Sequence, residues 1–153
     1  MFIGHFTERP YQDPKSGYFG ATGKSIKDLT VSNDIYDPML GSDLYNRYLD
    51  EKIYAEEMGF DWLSFSEHHY SGRIATGTPA VMASAVAERC KKIKIALLGH
   101  LLPLNNPVRV AEELALLDNL TNGRLVAGFL RGTPNEDQVY TCLLYTSDAA
   151  DDT

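Results

Sequence analysis

The sequence predicts an α/β protein built on a parallel sheet. Three observations lead there. Short apolar runs alternate with amphipathic helical stretches, in the order strand, loop, helix, strand, helix, strand, helix, strand. The strand–helix unit recurs about every 32 residues from Phe60 onward, the size of a βα repeat. The run IKIALLGHLL is almost wholly apolar, as a parallel strand covered on both faces should be.

The elements follow in order. MFIGHF (Met1 to Phe6) is short, apolar and aromatic, and reads as a strand. Thr7 to about Asp43 is a long irregular segment with Pro10, Pro14, Gly17, Gly20, Gly23, Pro38 and Gly41. Segments of this length are lids, binding loops or disorder, and Tyr11, Tyr18 and Tyr36 favour a packed loop. The next helix carries Tyr45, Tyr48, Leu49 and Ile53 at helical spacing. Ser42 or Asp43 is its expected cap, and Gly59 its left-handed stop. FDWLSFS is a strand. Thr78-Pro79 opens a second helix, with Thr78 as cap and proline where no N–H is needed, running to about Cys90. The apolar strand comes next. Asn106-Pro107 repeats the cap-then-proline start, and that helix ends at Gly123. RLVAGFLRG is the fourth strand.

Two architectures fit this order: an open doubly wound sheet, or half of a (β/α)8 barrel. No G-x-G-x-x-G follows the first strand, and GYFGATGKS has neither that spacing nor that of a P-loop. A whole barrel takes about 250 residues, so the 153 here would make about half of one.

Bulk properties exclude several function classes. Hydrophobic residues make up 44% and charged residues 23%, an ordinary globular balance. The net charge of −7 argues against nucleic acid or an anionic membrane as partner. Cys90 and Cys142 are too few and too far apart for a disulfide framework or a zinc site. The N-terminus lacks the pattern of a signal peptide, and no run reaches the ~18 apolar residues of a membrane span. A cytoplasmic location is expected.

The stretch WLSFSEHHYSG holds the chemistry-bearing residues. Successive side chains on a strand alternate faces. Trp62, Ser64, Ser66 and His68 share one face; Leu63, Phe65, Glu67 and His69 share the other. The Leu63/Phe65 face suits a helix layer, so Ser66 and His68 point into the lumen, at the strand end where barrels place their sites. Histidine exchanges protons near neutral pH without large tuning, so His68 is the catalytic candidate. Glu67 and His69 are expected to hydrogen-bond each other or the backbone. The alternative is that both histidines only cap the strand end. No third ligand supports a metal site.

These residues, in register, carry a family resemblance. Gly4, EEMGFDWLSFSEHH, Pro103 and Pro107, Asp118, Gly123-Arg124 and Gly128…Arg131-Gly132 follow the order and spacing of the bacterial luciferase-like flavin-dependent monooxygenases, from Met1 to about Thr141. The resemblance implies the N-terminal half of a (β/α)8 barrel. It implies reduced FMN, supplied by an NAD(P)H:flavin reductase, with O2 as co-substrate and a small organic molecule as substrate. A homodimer is implied for the intact protein. By position, His68 matches the catalytic histidine beside the flavin, and His69 a supporting one. Arg131 matches an arginine near the flavin phosphate, a task its guanidinium fork suits. Leu98-Gly99 matches a place of frequent non-proline cis peptides under the flavin ring, and Ser66 belongs to the same pocket. Two departures stand out. Leu130 replaces a reactive cysteine of the light-emitting enzymes, which puts light emission in doubt. His100 stands where an apolar residue is usual; it reads as a satisfied core histidine, with contact to the flavin ring as the alternative.

The ending CLLYTSDAADDT (Cys142 to Thr153) resembles the translation of a transposase-type sequencing-library adapter. Residues 1–141 are therefore expected to form a partial luciferase-like domain, inactive and poorly soluble alone, and 142–153 to be an artefact. Two other readings stand beside the monooxygenase: an F420-dependent oxidoreductase on the same barrel, and a flavin-binding subunit without turnover.

Overall fold

The computed structural model describes residues 1–13, 17–18, 36–69, 73–74, 77–133 and 136. The proposed adapter tail and most of the loop from Pro14 to Ile35 lie outside them.

Four parallel strands form the main sheet: β1 (Gly4–Phe6), β5 (Trp62–Phe65), β7 (Lys94–Leu101) and β8 (Leu125–Leu130). Short pairs add to it: β2 (Arg9–Pro10) with β6 (Arg73–Ile74), and β3 (Gln12–Asp13) with β4 (Gly17–Tyr18), both antiparallel. The helices are α1 (Pro38–Glu57), α2 (Pro79–Arg89) and α3 (Pro107–Thr121). The spatial order of the main sheet is β1-β5-β7-β8, the order along the chain. A doubly wound sheet would reverse direction somewhere and place helices on both faces. Here one cluster joins Leu49 and Ala55 of α1, Ala83 and Val86 of α2 and Leu117 of α3 to Leu63, Phe65, Ile95 and Leu97 of the sheet. All three helices thus cover one face, the arrangement of a barrel wall.

Local chemistry explains most boundaries. Asn106 Oδ1 accepts from Val108 N and Arg109 N, and Pro107 follows it. One start is corrected. α1 begins at Pro38 rather than at Ser42 or Asp43, because Asp37 Oδ1 accepts from Met39 N and Leu40 N. Asp37-Pro38 is the same cap-and-proline signal as Asn106-Pro107. A second correction concerns α2: Thr78 holds the cap position, but its hydroxyl makes no capping bond. Gly59, at φ +82°, stops α1 as expected. Tyr11 is buried against Leu44 and Tyr48, and its hydroxyl accepts from Asp37 N, so that part of the loop is packed.

The N-terminal end of the sheet is tied by two side chains. Glu56 accepts from the backbone N–H groups of Lys91, Lys92 and Ile93. Arg124 donates to the carbonyls of Thr121, Ile93 and Cys90. Together they join the ends of α1, α2 and α3 to the starts of β7 and β8. Among the described residues, no helix is long and apolar enough to cross a membrane.

Candidate active site

The alternation of β5 carries on past its last residue. Leu63 and Phe65 enter the helix-side core, and Glu67 follows them. Ser64, Ser66 and His68 turn the other way.

On the helix side Glu67 is a hub. It is 4% exposed. Its Oε2 accepts from Leu101 N at 2.9 Å, and its Oε1 from Asn105 Nδ2 at 3.0 Å. His69 Nε2 lies 2.8 Å from Oε1. His100 Nδ1 is 3.3 Å from Oε2, within ion-pair reach but not aligned as a hydrogen bond. Burial opposes the charge of Glu67, yet the surrounding donors outweigh it and hold the carboxyl well below the usual range. His100 is buried as a core residue should be. It is not satisfied in the expected sense, since neither ring nitrogen has an aligned partner among the described residues. A groove of about 540 Å³ opens here between α2 and α3, lined by Glu67, Pro79, Ser84, His100, Asn105 and Leu117 among others. Neither Ser66 nor His68 lines it.

On the other side His68 sits between two carboxylates. Its Nε2 is 2.6 Å from Glu8 Oε1, and its Nδ1 is 3.1 Å from Glu136 Oε1. Glu8 follows β1, whose parallel register with β5 pairs Phe6 with Ser64. Residues just past both strand ends are therefore neighbours. Glu136 comes from the segment after β8. Neither acid was singled out from the sequence. Aligning the C-terminal ends of the strands would have brought both toward His68, because the residues that follow parallel strands meet at one rim.

The residues expected to hold a flavin lie along the same rim. Ser66 Oγ is buried with no hydrogen-bond partner among the described residues. The Phe65–Leu97 pairing puts Ser66 level with Leu98. The Leu98–Gly99 peptide is cis, at the position the resemblance indicated. Here β7 and β8 run close: a Cβ on Gly99 would fall 2.6 Å from the Gly128 carbonyl oxygen. Arg131 is exposed just beyond β8. The close approach of β7 and β8 accounts for Gly99 and Gly128; the orphaned Ser66 hydroxyl and the exposed Arg131 guanidinium are the groups that fit a phosphate-bearing ligand. Among the described residues no cluster of three acids, histidines or cysteines could hold a metal ion.

A sequence model of the family described as luciferase-like monooxygenase matches residues 37–140. The beta chain of alkanal monooxygenase from Vibrio harveyi is 38% identical over 81 residues, which are 53% of this chain and 25% of that one. The oxygenating constituent of 3,6-diketocamphane monooxygenase from Pseudomonas putida, solved in complex with FMN, superposes with a TM-score of 0.66 at 23% identity. The match covers 92% of this chain and 32% of that one. A monooxygenase from Streptomyces bottropensis gives a TM-score of 0.67 at 24% identity, covering 92% and 36%. At such identities the two structures speak for the fold, a part of the (β/α)8 barrel. The chain spans about a quarter of the length of the curated relatives it matches.

Proposed function

The chain belongs to the luciferase-like monooxygenase family, and from that premise we propose that the whole protein is a flavin-dependent monooxygenase acting on a small organic substrate. One observation carries the proposal. A histidine at the C-terminal rim of a parallel sheet turns away from the helix layer and is held by hydrogen bonds at both ring nitrogens.

Reduced FMN, when bound, supplies the electrons that let one atom of O2 enter the substrate while the other leaves as water. The protein's own residues then have separate tasks. Ser66, Leu98 and Gly99 form the wall against which the flavin lies, and Arg131 meets its phosphate. His68 gives or takes the proton that oxygen transfer requires. His69, tied to Glu67, fixes the backbone that carries His68. An NAD(P)H:flavin reductase supplies the reduced cofactor, and the intact protein is a cytoplasmic homodimer. Residues 1–141 are part of the catalytic domain, inactive alone, and residues 142–153 are adapter-derived.

The test uses the full-length protein. It should bind FMN at micromolar levels and consume O2 when a flavin reductase and NAD(P)H are added. Absence of binding to oxidised and reduced FMN would remove the proposal. Displacement of FMN by F420 at lower concentration would move the protein to the deazaflavin branch of the barrel.

A further inference from the structure

Hydrogen-bond accounting at His68 goes further than its position. A neutral imidazole has one N–H and one lone pair, so it donates to only one of its two carboxylate neighbours. Glu136 decides which. It is 4% exposed. Its Oε2 accepts from Thr133 N at 3.0 Å and Thr133 Oγ1 at 2.8 Å, and its Oε1 accepts from His69 N at 3.1 Å. Burial works against its charge, but these bonds outweigh that and lower its carboxyl from the ordinary range. Both oxygens are thus acceptors, and Nδ1 of His68 must present the N–H. Nε2 then meets Glu8 with a lone pair unless the ring is doubly protonated. A 2.6 Å contact needs a proton between the two atoms, on the ring or on Glu8.

We propose that Glu136 is the positioning residue that fixes His68 as the Nδ1–H form, and that Glu8 holds and returns the proton exchanged at Nε2. The inference rests on the reading of His68 as the proton-handling residue. The step balances without a co-reactant: an Nε2–H bond breaks, an O–H bond forms on Glu8, and an imidazolium–carboxylate pair becomes an imidazole–carboxylic acid pair. The two acids are placed for different tasks. The Glu8 side chain is 25% exposed and can trade its proton with solvent, whereas the Glu136 side chain is 5% exposed and cannot. Of the other charges near this rim, Arg9 pairs with Glu51 and Glu67 with His69, and Arg131 lies exposed just beyond β8.

Two measurements on the full-length protein test this. Nitrogen-15 NMR of the histidine rings, without flavin, should show neutral His68 with its proton on Nδ1. In Glu136→Gln that preference should weaken, because one amide oxygen must serve either His68 and His69 or Thr133, where the carboxylate serves both. In Glu8→Gln it should remain. In coupled turnover, Glu136→Gln should lower kcat by up to about 10⁴-fold, the scale seen when a tautomer-setting carboxylate is replaced by its amide. Glu8→Gln should lower kcat by about 10- to 100-fold, with the KM for FMN unchanged and partial rescue by Glu8→Asp. A wild-type Nε2–H tautomer, or full kcat in Glu8→Gln, overturns the assignment. The wild-type tautomer decides the Glu136 half even if Glu136→Gln does not fold. Because that spectrum needs no flavin, a protein that binds none would overturn the monooxygenase reading separately.

Discussion

The two sides of the sheet end use their acids differently. On the helix side Glu67 is buried, both its oxygens accept from aligned donors, and the partners come from β7, the turn after it and the next residue but one. On the other side Glu8 and Glu136 converge on one histidine from distant segments, and Glu8 and His68 keep some exposure. Both clusters have carboxylates and histidines at similar distances. The difference is slack. A carboxylate saturated by fixed donors holds structure, while one that shares a proton with a partly exposed ring can let that proton move. The doubled histidine is therefore two residues with separate tasks, set apart by the alternation of the strand.

Substitutions can break or sharpen this contrast. The largest effect on activity is expected from His68→Ala in the full-length protein. Product formation should fall by about 10²–10⁴-fold, while the thermal midpoint stays near that of the parent. An equal loss of stability would erase the distinction between the two sides. Glu67→Ala should act first on stability. It leaves the buried Leu101 N–H without an acceptor and takes from Asn105 Nδ2 one of its two acceptors, and should cost about 3–5 kcal/mol in denaturant unfolding. The pH dependence has a definite sign. The folded-state pKa of Glu67 lies below the ordinary carboxylate value. Its contribution is complete above that value and is lost as pH falls through the folded-state pKa. Acid unfolding curves of Glu67→Gln should be flatter than the parent's below that value and parallel to it above.

Lys52 offers a third, smaller test, with a cation in place of an acid. It is 5% exposed, and donates to Thr7 Oγ1 and the Ser64 carbonyl at 3.1 Å. Burial, helped by Arg9, pushes its ammonium down to about 8 from 10.5. The unfolded chain then holds the proton more tightly, so stability should rise between those two pH values, by ~3 kcal/mol in all. Measured as the difference from Lys52→Met, the rise should be absent in the variant. A constant difference across that range would mean Lys52 is not desolvated. Ser66→Ala should have the smallest effect on stability, within about 1 kcal/mol, because its hydroxyl has no partner to lose among the described residues. FMN affinity should nevertheless weaken by a few fold. No change in a flavin titration would remove Ser66 from the cofactor wall.

Much of this was legible in the residues. Helical spacing, the Asn106-Pro107 start, Gly59 and the apolar run of β7 each encode a local rule, and each element is present. The split of Ser66 and His68 from Glu67 and His69 follows from a period of two, which leaves Glu67 and His69 to bond each other or the backbone; Glu67 does both. Asp37-Pro38 was overlooked as a helix start because it ends a long polar segment, although its chemistry is that of Asn106-Pro107. Lys52 was not expected inside: a charged residue at a core position contradicts the usual pattern, and only its oxygen partners on β5 and after β1 explain it. Glu8 and Glu136 were missed for another reason. They lie 60 and 68 residues from His68 in the chain, and no periodicity links them. Parallel register brings them together, and register belongs to the sheet rather than to any one segment.

The Glu56 and Arg124 knots have a consequence for how such a protein can change. They sit at the opposite end of the sheet from His68, and they bind backbone atoms, so they place few demands on which side chains neighbours carry. The frame is thereby held by contacts that mutation of the rim does not touch. Loops at the rim can be lengthened, exchanged or rewritten while the strands beneath keep their spacing. A library that randomises the rim loops and spares these two residues should retain many more folded members than one of equal size that includes them. Inheritance can then explore new pockets without first relearning how to build the wall.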